Sequence, residues 1–159
     1  MSLDEWILAL HVVSAFAFVA GIVLFWVLIV AGWHVDTPDP ILRMEPVARV
    51  GNVAVGVGAM GTIVLGILLA LSYNDYDLWD GWIVAAILLW IAAAAVGSRT
   101  GVEYTKPLTK ARELTSNGQT GPNAELLALN RTQRGLVLHG VTSLITLALV
   151  IDMIWKPGA

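Results

Sequence analysis

Trp6–His34, WILALHVVSAFAFVAGIVLFWVLIVAGWH, decides the fold. Its apolar interior holds a single ionisable side chain, His11. The run exceeds the roughly 20 apolar residues needed to cross a hydrocarbon layer about 30 Å thick, so it predicts a membrane-spanning helix with some tilt. A cleaved secretory signal would open with cations and stop at a site of small residues. This stretch is preceded by Asp4 and Glu5 and simply continues, so it is expected to stay.

The rest of the chain repeats the pattern. Of its 159 residues, 57% are hydrophobic and 13% charged, too apolar for an ordinary soluble domain. Four spans are predicted, at about 6–33, 50–72, 80–98 and 135–155, forming an all-α transmembrane four-helix bundle in one integral membrane domain. The third is short, but Trp79 and Trp82 suit one interface while Ser98 and Arg99 suit the other.

Orientation follows from the cations, because Lys and Arg are held on the cytoplasmic side during insertion. Arg43 and Arg49 precede the second span, and Arg99, Lys106, Lys110, Arg112, Arg131 and Arg134 occupy the long connection before the fourth. Only Lys156 falls elsewhere. Both termini and the acidic, aromatic YNDYDLWDG at 73–81 are therefore expected outside a bacterial plasma membrane, with the long connection in the cytoplasm. Within that connection LTSNGQTGPN breaks any continuous helix, and Asn123 is placed to cap a new one that runs through AELLALNRTQRG into the fourth span. Pro38, Pro40 and Pro46 predict a short, stiff first connection.

The second span carries Ala54, Gly58, Thr62, Gly66 and Ala70 at every fourth residue. In lipid such a stripe lets two backbones approach closely, either against another span of this chain or as the seam of a homo-oligomer or larger membrane complex. Partners beyond the lipid bilayer would use that surface. Nucleic acid is not expected, since the net charge is −3 and the cations flank the spans instead of forming a stripe.

Few side chains could carry chemistry. There is no cysteine, which removes disulfides, thiolate metal sites and covalent haem attachment. No phosphate-binding loop, HExxH pair or nucleophile elbow is present. A helix rises 1.5 Å per residue, so His11 lies about 7 Å below Trp6 and Asp152 about 5 Å below Trp155. At a common depth the two are expected to meet. His139 lies near the opposite side, with Thr142, Ser143 and Thr146 on one inward face of the fourth span. His11 and His139 are then too far apart to ligate one haem together. A single b-type haem would take His11 with a non-histidine ligand or an open position, or else His139 with His34. Bare metal would take His11 with Asp152 and Met153. The bland reading of each histidine is a hydrogen bond to a neighbouring backbone carbonyl.

LHVVSAFAFVAGIVLF, RVGNVAVG, VLGILLALS, RGLVLHG and DMIWKPGA together resemble the CopD-like superfamily of bacterial four-span membrane proteins, closest to its "predicted integral membrane protein" branch. The resemblance runs almost end to end. It implies a four-helix membrane bundle, and its relatives include copper-resistance proteins and a haem-binding protoporphyrinogen oxidase in which a first-span histidine matters. His11 is the matching position, while the later-span lysine of the oxidase-like relatives has no counterpart in the third span. The resulting expectation is haem or metal held through His11, with Asp152 and His139 as further cofactor-binding candidates. A non-catalytic accessory or scaffold subunit is the alternative.

Overall fold

The computed structural model describes residues 2–72 and 77–157. The chain is helical throughout those residues: α1 (Leu3–Gly32), α2 (Pro38–Ser72), α3 (Gly81–Ser116), α4 (Ala124–Asn130) and α5 (Gln133–Trp155). Four stretches, with α4 and α5 counted together, are long and apolar enough to cross a bilayer, which makes this a multi-pass membrane protein. Residues 73–76 of the second connection lie outside the described residues, as do 158 and 159.

Local chemistry sets the helix ends. Ser2 accepts from the Glu5 amide at 3.3 Å while the Glu5 carboxylate accepts from the Ser2 amide at 2.8 Å, a reciprocal capping box that starts α1. Asn123 caps α4 as expected, accepting from the Leu126 amide at 3.0 Å, and its own amide donates to Asp36 O at 2.7 Å. Replacing Asn123 by Ala removes the side-chain cap, so thermal unfolding should report a loss of about 1 kcal/mol. An unchanged midpoint would mean that α4 is held by packing alone.

Two sequence expectations need correction. The first connection shrinks to residues 33–37, because Pro38 and Pro40 fall within the first turn of α2 and Pro46 lies inside it. Proline is tolerated in a first turn, whose N–H groups have no intrahelical partner. The predicted continuous helix from Asn123 into the fourth span is also interrupted, at Arg131 and Thr132. There the chain is tied sideways to the α1–α2 connection. Asn130 Nδ2 donates to Val35 O at 2.7 Å and Arg131 Nε to Trp33 O at 2.9 Å.

Helix α1 lies along α2 at close range, and the small-residue stripe makes that possible. A Cβ on Gly58 would stand 2.7 Å from Phe18 Cα and 2.8 Å from Ser14 O. On Gly21 it would stand 2.9 Å from Val55 N. Thr62 and Ala70, from the same stripe, are buried. Within the chain Gly58 and Gly66 of the stripe therefore pack against α1, and Ala70 packs against Trp82 and Ile83 of α3. Helix α3 packs along α5 and, less extensively, against α2, whereas α1 and α5 barely meet. One side of the bundle is left open.

The end opposite the termini is closed by charge. Glu45 receives Arg112 Nη2 at 2.6 Å and Arg49 Nη2 at 2.8 Å. Lys110 bridges Glu113 at 3.2 Å and Glu125 at 2.8 Å. Ile41, Ala111, Leu114 and Leu126 form an apolar cluster beneath α4 at this end. Arg112 first, and Arg49 next, hold the Glu45 carboxyl below the ordinary glutamate value of 4.5. A depressed carboxyl stabilises the fold above its unfolded value and loses that contribution as pH falls through its folded value. Acid titration should therefore destabilise the protein progressively below about pH 4.5, and Glu45→Gln should flatten the response. Identical acid profiles would remove Glu45 from the account.

Candidate functional site

The open side is a cleft of about 900 Å³, walled by α1, α2, α3 and α5. Helices α1 and α5 meet at its floor, where Trp26 Nε1 donates to Ser143 Oγ at 2.9 Å and His139 Nε2 lies 3.2 Å from Ile22 O. Above that level they diverge towards the termini. The rim is apolar and exposed, with Val12, Phe16 and Val23 on α1 facing Leu147 and Ile154 on α5. In a bilayer these side chains face lipid, so the cleft opens sideways into the membrane.

Tryptophans shape its interior. Trp90 is pinned by a bond from Nε1 to Ala59 O at 3.0 Å, and Trp26 by Ser143. Their indole N–H groups are satisfied within the protein, and both rings belong to the cleft wall. Trp82 stands near the mouth with the Lys156 ammonium 5.2 Å from its ring centroid, and both line the cleft. Lys156 adopts φ 42, ψ 63 as the C-cap of α5.

His11 is the ionisable residue within the membrane part of this wall. Its ring is hydrogen-bonded to the Thr62 backbone, and its Nδ1 is buried with no hydrogen-bond partner. A bond from Nε2–H to the carbonyl leaves Nδ1 as the bare, lone-pair nitrogen. That nitrogen faces Gly66. A Cβ there would stand 3.4 Å from Nδ1 and 3.1 Å from Cε1. Glycine thus lets α2 come up against the ring edge that carries this enclosed nitrogen. A buried polar atom without a partner costs about 1–3 kcal/mol, a cost that a ligand relieves.

The other candidates are placed elsewhere. Asp152 Oδ2 also has no partner, so the bond to His11 suggested by depth is not formed through these atoms. Depth set the level but not the direction: Val150, Met153 and Ile154 line the cleft, and Asp152, pointing about 100° from its neighbours, does not. His139 lies at the floor, edge-on to Trp26 with centroids 4.8 Å apart, and near Tyr104 at 5.9 Å and Phe25 at 6.3 Å. Its partner Ile22 is eleven residues from His11, about 16 Å along α1. His34 contacts Arg131 at 2.9 Å beyond the end of α1, twelve residues past Ile22, so it does not join His139. Thr142 and Thr146 are buried beside His139, which makes the polar face of the fourth span inward as expected. Among the described residues, no three His, Cys, Asp or Glu side chains gather as a metal-binding group.

Sequence reasoning did not select Gly66 or Trp90 for the site. Gly66 carried a signal, since it belongs to the stripe, but the stripe pointed to packing alone. No family model, curated protein or solved structure matches the chain.

Proposed function

We propose that this protein holds a flat, conjugated cofactor in the α1–α5 cleft with His11 Nδ1 as its ligand, and that a non-covalently held, b-type haem is the first candidate. The observation that carries this reading is the bare, buried Nδ1 facing a glycine inside a tryptophan-lined cleft. Bound haem would supply one-electron chemistry. The chain's own part is to fix the imidazole tautomer through Thr62, flank the ring with Trp82 and Trp90, and exclude water with apolar walls. Lys156, at the mouth, suits an anionic edge on the ligand. His139 acts at one remove, holding Trp26 at the floor.

A bare metal ion has less to bind, because only His11 and Met153 of its proposed ligands line the cleft. A scaffold role through the small-residue stripe has less surface to offer, because Gly58 and Gly66 already hold α1. In the reading proposed, the plasma membrane is the location and both termini lie outside, on the strength of the cation distribution.

The test is the absorption spectrum of protein purified from cells able to make haem. A Soret band of the bound cofactor is expected. A preparation whose spectrum shows only tryptophan and tyrosine, before and after haem is added back, would overturn the haem assignment.

A further inference from the structure

Three cations surround one carboxylate where α3 and α5 leave the apolar part of the bundle, at the end opposite the termini. Arg99, Glu103 and Lys106 occur at i, i+4 and i+7, so they share one face of α3. That face lies along α5. A Cβ on Gly97 would stand 3.8 Å from Thr142 Cγ2, and one on Gly135 would stand 3.5 Å from Glu103 Cβ. The Glu103 carboxylate is buried in this seam, with Lys106 Nζ at 2.7 Å and Arg134 Nε of α5 at 3.6 Å. Both cations stay accessible from outside, the Lys106 side chain being 47% exposed and that of Arg134 74%.

Arg99 completes the group. It is exposed, and among the described residues it makes no ion pair or side-chain hydrogen bond. Four residues separate it from Glu103, which places it about 6 Å nearer the bilayer centre. Elsewhere at this end Asp39 meets Arg43, Glu45 is shared by Arg49 and Arg112, and two carboxylates meet Lys110. Around Glu103 the positive charge is in excess, and the chain supplies nothing to match it.

The surroundings identify what would. Towards the bilayer centre the faces that carry these cations continue in exposed apolar side chains, Ala95 and Leu88 on α3, Val137 and Val141 on α5. A soluble anion would use the cations alone, whereas an amphiphile would use the cations with its head and the apolar flank with its chains. A zwitterionic head would bring an ammonium to a place whose one carboxylate already serves two cations. We infer that the α3–α5 seam at this end binds an anionic phospholipid, its phosphodiester held by Arg99, Lys106 and Arg134. Guanidinium presents paired N–H donors to phosphate, and basic pockets between spans recur as sites for anionic heads. This site is separate from the cleft at His11 and does not depend on what that cleft holds.

The experiment is native mass spectrometry of the purified chain in detergent, titrated with dioleoyl phosphatidylglycerol and, separately, with dioleoyl phosphatidylcholine. Wild type should hold its first phosphatidylglycerol about tenfold more tightly than phosphatidylcholine. A basic side chain near a head-group surface contributes about 1 kcal/mol, so Arg99→Gln and Arg134→Gln should each weaken phosphatidylglycerol binding about fivefold. Together they should bring it down to the level of phosphatidylcholine. Arg43→Gln, which removes a cation paired with Asp39 on α2, should leave it unchanged. Arg99 holds no other group in place, so its variant keeps the fold, and helical content checks this.

Three results overturn the inference. Equal affinity for the two lipids, or an unchanged affinity in the double variant, removes the site. An equal loss in Arg43→Gln replaces it with diffuse attraction to the whole charged end. Displacement of phosphatidylglycerol by an equal concentration of inorganic phosphate assigns the cations to a soluble anion.

Discussion

His11→Ala should lose the bound ring, with affinity reduced at least tenfold and the Soret band abolished or reshaped. Truncation removes the attachment atom together with the ring's bond to the Thr62 backbone, while the close approach of α1 and α2 at Gly58 and Gly21 remains. The tenfold corresponds to about 1.4 kcal/mol, and full loss of the attachment nitrogen should exceed it. Gly66→Ala is the more searching companion. It keeps the histidine and places a methyl 3.1 Å from Cε1 and 3.4 Å from Nδ1, so the imidazole must give way and binding should weaken although every ligating atom remains. Equal spectra from wild type and both variants would dissociate the ring from His11.

Gly58→Leu should be the most destabilising single change in the membrane domain. Even a Cβ at this position would lie within 2.8 Å of both Phe18 Cα and Ser14 O, and backbone does not yield as a side chain does. Separation of α1 from α2 should cost about 3 kcal/mol or more, read as a lowered unfolding midpoint in detergent. The outcome also divides the two roles considered for the stripe. An intact fold with a lost partner would favour an external seam; a broken fold favours the internal one seen here.

What the sequence revealed was depth, and what it withheld was direction. Apolar length located all four crossings, and the rise per residue put His11 and Asp152 at similar levels. Which way a side chain points depends on helix rotation, and helices apolar on every side carry little rotational signal in lipid. Asp152 was for that reason assigned to His11 although it lies off the cleft wall. The cleft itself is a missing contact between α1 and α5, and no single residue announces a missing contact.

Local signals fared better where a specific hydrogen bond expressed them. Asn123 read as a cap and is one. Prolines misled because their effect depends on position: Pro38 and Pro40 lie where the missing N–H matters least, and Pro46 lies within α2, near the charged end around Glu45. The break at Arg131 and Thr132 depends on Trp33 and Val35, nearly a hundred residues away, and was beyond any local reading.

The most direct test of the account is nitrogen NMR of protein labelled at its histidines, of which there are three. His11 should appear as the Nε2–H tautomer with Nδ1 unprotonated, and adding a diamagnetic metalloporphyrin should shift the Nδ1 signal of His11 while His34 and His139 stay in place. A His11 protonated on Nδ1, or an Nδ1 signal indifferent to the porphyrin, would contradict the claim that this nitrogen is where the ligand attaches.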